Sequence, residues 1–339
     1  MYRPPRVIGR ALFIIALLGC TGAALVESIR ETWMPLEGYA LVANQQSASA
    51  SLIDLRRDSA RTIPVGVGPH EAAISPSGRI GVVTIYGQQP AGNELAIIDI
   101  RTAAVTKTVS LGEYTRPHGV VFLAGNESRV VVTSEATQRL LVVNIETGQV
   151  ESAIPTNANG SHMAGVTADG KRAFTANIGS GSVSEIDLVE RKFVRTVPVG
   201  PRPEGIAVTP DGKEVWAGSN TDGTVSIVET ATGQVAAKLS GFTLPYRLAI
   251  SADGRTAIIC DPQANRIATA DIAMRRVIWD VTELGSPRGV TITPDGAFAL
   301  VTVAADPSMA VVDLKAKKVV GRVPVGASPD GVGFGPLSR

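Results

Sequence analysis

Four glycines set a strict period. Gly170, Gly212, Gly254 and Gly296 recur every 42 residues. A repeat of this length is one supersecondary unit that cannot bury its apolar face alone, so successive copies must stack. The clearest copy spans 199–241 and contains four short runs: "GIAVT", "EVWAGS", "TVSIVE" and "QVAAKL". They are rich in Val, Ile and Thr and separated by "PDGK", "NTDG" and "TATG". Asp-Gly and Thr-Gly supply the positive-φ residues that tight hairpins need. The same order returns in 240–284 and in the copy after it, and upstream in turns around Gly78 and Gly125 with longer spacing. No sustained helical period follows residue 34. Four antiparallel strands per repeat make a propeller blade.

The strands can be counted. Six complete units occupy about 65–326. The segment "YALVANQQSASASLIDLRRDSARTI" ahead of them holds only the last three strands of a blade, and "PDGVGFGP" behind them only a first strand. Together they make a seventh. The predicted fold is all-β: a seven-bladed β-propeller over 39–339, with four antiparallel strands per blade and the ring closed by strands from both termini. Closure of this kind removes open sheet edges.

The units resemble the YVTN-type β-propeller repeat family, which includes surface-layer and exported proteins. The likeness covers nearly all of 39–335. It rests on "FTAN" (174–177), "LVAN" (41–44), "TVSIVETATGQV", "VPVGPRPEGIAVTPDG" and "VPVGASPDGVGFGP". It implies the fold and an exported location, and no particular activity. Quinone-dependent dehydrogenases also use propellers, but the tryptophan-docking repeat of that group is absent, so no quinone cofactor is inferred.

The first 26 residues differ in kind. "MYRPPRVIGR" has three arginines and no acid, and "ALFIIALLG" is an apolar run ending just before Cys20. That is the layout of an export signal. The run is short for a spanning helix. "LLGC" resembles a lipobox with Cys20 as the lipidated residue; a cleaved signal and a retained anchor are the alternatives. Residues 27–38 read as a linker. Cys260 is then the one cysteine left in the mature chain, which excludes an internal disulfide framework. Its setting, "TAIICDP", reads as a buried apolar position. The net charge is +1 and aromatic residues are 4% of the chain, which gives little basis for a nucleic-acid surface. Trp33, Trp216 and Trp279 read as packing residues.

All three histidines share one register. The residues opening the innermost strands are His70, His118, His162, Glu204, Tyr246, Arg288 and Asp330. They form a ring around one mouth of the central channel. Because strands alternate in direction, the ends of the second strands lie on the same face: Asn44, Tyr86, Glu135, Asn177, Ser219 and Asp261. The long insertion "YGQQPAGN" (86–93) lies there too. Function on a propeller collects at such a rim.

Three readings follow. The first is an exported, periplasmic or lipid-anchored propeller that binds a small molecule or an envelope protein at this mouth, touching the membrane only through its N-terminus. Tyr246, Arg247, Asp330, Glu135, Asn177, Asp261 and Tyr86 are the candidate contacts. The second is a metal enzyme in which His70, His118 and His162 hold Zn, Cu or Fe and Glu204 is a fourth ligand or base; in a metal-free form Glu204 or His118 is the general base and Arg288 binds an anionic substrate. The third is a subunit of a multi-chain dehydrogenase. Arg288 and Asp330, adjacent in the ring, are expected to pair. Asn44 and Asn177 are expected to cap their strands.

Overall fold

The structure, a computed structural model, describes residues 36–337 apart from 58 and 283. The expected export segment, with Cys20, and Trp33 lie outside the described residues. Among those residues the chain forms seven four-stranded sheets and two single-turn 3-10 helices, Gln45–Ser47 and Pro262–Ala264. The first complete blade is Pro69–Ile74, Ile80–Gly87, Ala91–Asp99 and Ala104–Ser110; the sixth ends at Lys318–Pro324. The seventh sheet has the order Pro329–Gly335, Tyr39–Asn44, Ser49–Asp54, Ser59–Pro64. Both termini therefore supply one blade. Tyr39 faces Gly335 and Val42 faces Val332 across the antiparallel seam.

Innermost strands touch their neighbours around a closed ring. The core lies between blades, where sheet faces meet. Trp216, fully buried in a second strand, packs on Ile259 and Ala268 of the next blade. Trp279 lies half-buried in a fourth strand with Lys317 over its ring. Outer strands alternate exposed and half-buried positions, as in Ala104–Ser110, because they cover one face only.

A repeated irregularity shapes the channel mouth. In six blades the pairing of innermost and second strands slips at the ring residue: between Pro69 and Ala72, Pro117 and Val120, Ser161 and Met163, Pro203 and Ile206, Pro287 and Val290, and opposite Val42–Asn44. These are β-bulges, which re-aim side chains. In the remaining blade the ladder starts only at Leu248, leaving Pro245–Arg247 outside it. Proline precedes the ring residue in six of the seven blades and cannot donate to a ladder, which suits a strand's first residue.

Threonines of the second strands fix the bulges. The backbone N–H of Glu71 donates to Thr84 at 3.0 Å, that of Gly119 to Thr133 at 2.8 Å, and that of Gly289 to Thr302 at 2.7 Å. Thr133 then donates to the His162 carbonyl at 2.6 Å, and Thr302 to the Asp330 carbonyl at 2.7 Å. Each of these two hydroxyls satisfies a bulge in its own blade and holds the ring residue of the next.

Candidate functional site at the polar channel mouth

The three histidines stand side by side. Ring centroids of His70 and His118 are 4.7 Å apart, and those of His118 and His162 are 3.7 Å apart. Tyr86 extends the stack, 4.4 Å from His70, and Arg116 covers Tyr86 at 4.6 Å. The Arg116 guanidinium also donates to the carbonyls of Gly87 (3.1 Å) and Gln88 (2.7 Å), fixing the long hairpin on this face.

The histidines have different chemistry. Both ring nitrogens of His162 meet carboxylates: Nδ1 lies 2.6 Å from Glu135 Oε2, and Nε2 lies 3.3 Å from Glu204 Oε1. Burial opposes its charge, but the bonds to Glu135 and Glu204 outweigh it and raise the pKa. His118 is 1% exposed, and its Nδ1 has no hydrogen-bond partner. Burial, then the positive charge of neighbouring His162 and His70, pushes its pKa well down. It is the neutral imidazole of the row. His70 is the outermost, its side chain 22% exposed, with Nδ1 3.2 Å from Asp330 Oδ2.

Beneath the ring, Arg247 crosses the channel. Its Nε and Nη2 donate to Glu71 Oε1 at 3.1 and 2.9 Å, and its Nη1 to Glu204 Oε1 at 3.2 Å. Both Arg247 and Glu71 are buried. Burial disfavours the guanidinium charge, but the carboxylates around it, Glu71 first, hold it charged. Burial holds Glu71 above the usual carboxylate range, against the pull of Arg247. Glu204 is lowered to about 2: burial resists, and His162 and Arg247 prevail. Asp330 is also lowered to about 2, burial being overcome by His70 and Arg247.

The structure changes several sequence-based expectations. In the second strands, the mouth residue of several blades is one position later than expected. The N–H groups of Gln45, Tyr86, Glu135, Ile178 and Asn220 make the same bond to the neighbouring turn, so these residues are equivalent. Asn44, Asn177 and Ser219 precede that position, and successive strand residues face opposite sides. Asn177 is fully buried and donates to Ser182 and Ser184 at 3.2 and 2.9 Å, inside its blade. Asn44 does the same with Ser49 and Ser51. Their partners are side chains of the third strand, not backbone groups of their own. Asp261 is fully buried, accepts from the N–H groups of Thr243 and Leu244, and pairs with Arg266. Asn177 and Asp261 are therefore blade residues and not mouth contacts.

Sequence reading missed Gln45, Asn220 and Glu71. Gln45 Nε2 donates to Asp330 Oδ2 at 2.6 Å, and Asn220 donates to Glu204 Oε2. Aligning "SE" (134–135) with "NQ" (44–45) and "SN" (219–220) was the available signal. Asp330 pairs with His70 and, at 3.9 Å, with Arg247, not with Arg288. Arg288 donates to Ser328 at 3.3 Å and, among the described residues, has no carboxylate at ion-pair distance. Tyr246 lies against the Arg247 guanidinium, 4.4 Å from its ring centre.

The metal-ligand set also changes. One ligand atom each from His70, His118 and Asp330 lie within 4.8 Å of one another; His162 is outside this group, and its nitrogens meet two glutamates instead. Cys260 is fully buried, and burial raises its thiol far above the ordinary value. The opposite mouth is different again. It holds a cavity of about 500 Å³ lined by Ala73, Ile74, Val121, Phe122, Thr291 and Phe334, mostly apolar. The channel thus has one charged mouth and one apolar mouth, separated by the Arg247–Glu71 pair.

Fold and site together define a seven-bladed propeller with a charged, histidine-lined mouth. No family model matches the chain. No similar protein is found among the curated proteins. Among solved structures it is similar to hydrazine synthase of Kuenenia stuttgartiensis, with a TM-score of 0.70 at 20% identity over 80% of this chain and 91% of that chain. Solved chains with a significant likeness number 1755, so the likeness specifies the fold and not an activity.

Proposed function

We propose that this protein is an exported binding propeller of the YVTN type that takes a small anionic molecule at its charged mouth. One observation carries the reading: Arg288 stands half-buried at the rim and, among the described residues, has only a serine hydroxyl as partner. Of the other cations at this mouth, Arg247 is fully committed to carboxylates, and Arg116 lies over Tyr86 and donates to the Gly87 and Gln88 carbonyls. A guanidinium without an acid partner suits a carboxylate or phosphate ligand. The arginine-rich, apolar N-terminal stretch supports export, with lipidation at Cys20 as one outcome. For the dehydrogenase-subunit alternative, no residue among those described speaks in favour.

The test is a thermal-shift panel of small carboxylates and inorganic phosphate against residues 27–339, beside Arg288→Ala. A compound that raises the melting temperature of the parent and not of the variant supports the reading. Equal responses in both proteins, or no response to any anion, overturn it.

A further inference from the structure

We infer that His70, His118 and Asp330 form a binding site for one divalent first-row transition metal, with His162 excluded from the ligand set. The inference goes beyond the anion reading and stands independently of Arg288. Its first support is proximity: three ligand atoms from three consecutive blades of the ring lie within 4.8 Å of one another. Metal–ligand bonds of about 2.0–2.2 Å need only a modest contraction of that group.

The second support is independent of proximity. Two buried polar atoms at this place have no hydrogen-bond partner: His118 Nδ1 and Asp330 Oδ1. Their residues are 1% and 0% exposed. Arg247 approaches Asp330 Oδ1 only to 3.9 Å, too far to hydrogen-bond. Buried polar groups without partners are costly and uncommon. A cation accepting one lone pair from each would satisfy both residues.

The surroundings are those of a metal site. Gln45 donates to Asp330 Oδ2, which fixes that carboxylate and leaves Oδ1 free. Thr302 holds the Asp330 carbonyl, and Tyr86 stacks on His70, so groups outside the ligand set orient it. His70 is partly exposed, so the open coordination positions face the solvent. Below, the Arg247–Glu71 pair closes the channel. Two imidazoles and one carboxylate select a transition ion over calcium or magnesium, which prefer all-oxygen shells. The same donor set with open positions is used for Zn and for non-haem Fe(II).

The experiment is calorimetric titration with Zn²⁺ in chloride buffer, without any added anionic ligand, on untagged residues 27–339. Variants are His118→Ala, Asp330→Asn and His162→Gln, each checked by its melting curve. One Zn²⁺ per chain is expected, with affinity lowered more than about 100-fold by His118→Ala and Asp330→Asn. His162→Gln should lower it by less than about tenfold, below the roughly 10–100-fold that loss of a group bonded to a ligand costs. Absence of stoichiometric binding by the parent, or an equal loss in His162→Gln and Asp330→Asn, overturns the inference. If either ligand variant fails to fold, X-ray absorption on the Zn²⁺-loaded parent decides. Outer-shell scattering from two imidazole rings supports the site, and scattering from three rings overturns it. Arg288→Ala should bind Zn²⁺ normally, so the anion reading and the metal site fail separately.

Discussion

Arg247 and Glu71 meet across the central channel, 2.9 Å apart and both buried, although 176 residues separate them in the chain. Arg247 also bonds Glu204, so one guanidinium neutralises acids from two blades. Removing one partner of a buried pair leaves an uncompensated charge, which costs about 3–5 kcal/mol. Arg247→Met should therefore lower the unfolding free energy by about that much in denaturant titrations. Arg247→Met combined with Glu71→Leu should recover a large part of the loss, because apolar replacements of a whole pair are often neutral. A double variant as unstable as the single one would show that Glu204, not Glu71, is the important partner.

Glu204 and His162 together favour the window between about pH 4.5 and pH 6.5, each setting one limb of the stability profile. The Glu204 pKa is depressed to about 2 from an ordinary 4.5. Its contribution, on the order of 3 kcal/mol, is therefore full above pH 4.5 and lost as pH falls toward 2. His162 is raised above 6.5, so its contribution is full below that pH and lost as pH rises through its folded value. Two groups act inside this window: the contribution of Glu71, raised by burial, is lost as pH rises above 4.5, and His118, lowered by burial, costs stability as pH falls below 6.5. Melting curves from pH 2 to pH 9 will show the window. Glu204→Gln should flatten the acid limb and, because Glu204 also helps to raise His162, move the alkaline limb to lower pH.

Thr302→Val should disturb the mouth without touching any ligand. Its hydroxyl accepts from Gly289 and donates to the Asp330 carbonyl, and all three groups are buried. Valine keeps the shape and orphans both backbone groups, at about 1–3 kcal/mol for each unsatisfied group. Thr133→Val should act in the same way on Gly119 and His162. Chemical denaturation measures the stability loss. Hydrogen exchange at Gly119 and Gly289 shows whether the opening is confined to the bulges.

The blade count, the closing seam and the histidine register were all legible, because each follows from turn spacing and strand alternation. The seventh blade needed only a count of strands at both ends. What was not legible comes from the bulges. A bulge turns both His70 and Glu71 toward the channel, and a period-two pattern allows only one of them. Arg247 likewise precedes its ladder, so no strand pattern places it. The one-residue slip at Asn44/Gln45 and Asn177/Ile178 has a related origin: "AN" ends a strand in the repeat, and only the backbone bond to the neighbouring turn marks the next residue as the one facing the mouth. The apolar mouth is readable in principle from "AAI", "VVF" and "GFG" at the strand ends, where apolar residues alone do not distinguish a channel lining from blade packing.

The seam between the termini should decide whether the ring is cooperative. Val332 is buried in a cluster with Leu36, Ala40, Val42 and Phe298, and Phe334 packs against the same cluster. Deleting residues 328–339 removes the innermost strand of one blade, exposes the edge of Tyr39–Asn44 and withdraws about 1.5–3 kcal/mol for each large apolar side chain lost. The truncated chain should unfold without a sharp transition and self-associate in size-exclusion runs. A circular permutant isolates topology from contacts. Joining the described ends by a short linker and opening the chain near Val67 keeps all 28 strands, but each blade is then built from continuous sequence. The permutant should fold with the same circular dichroism, because Tyr39 and Gly335 are already paired neighbours. It should melt below the parent and unfold faster, because no blade then ties the two ends of the chain together. Equal melting temperatures would mean that face-to-face packing of the blades alone holds the ring shut.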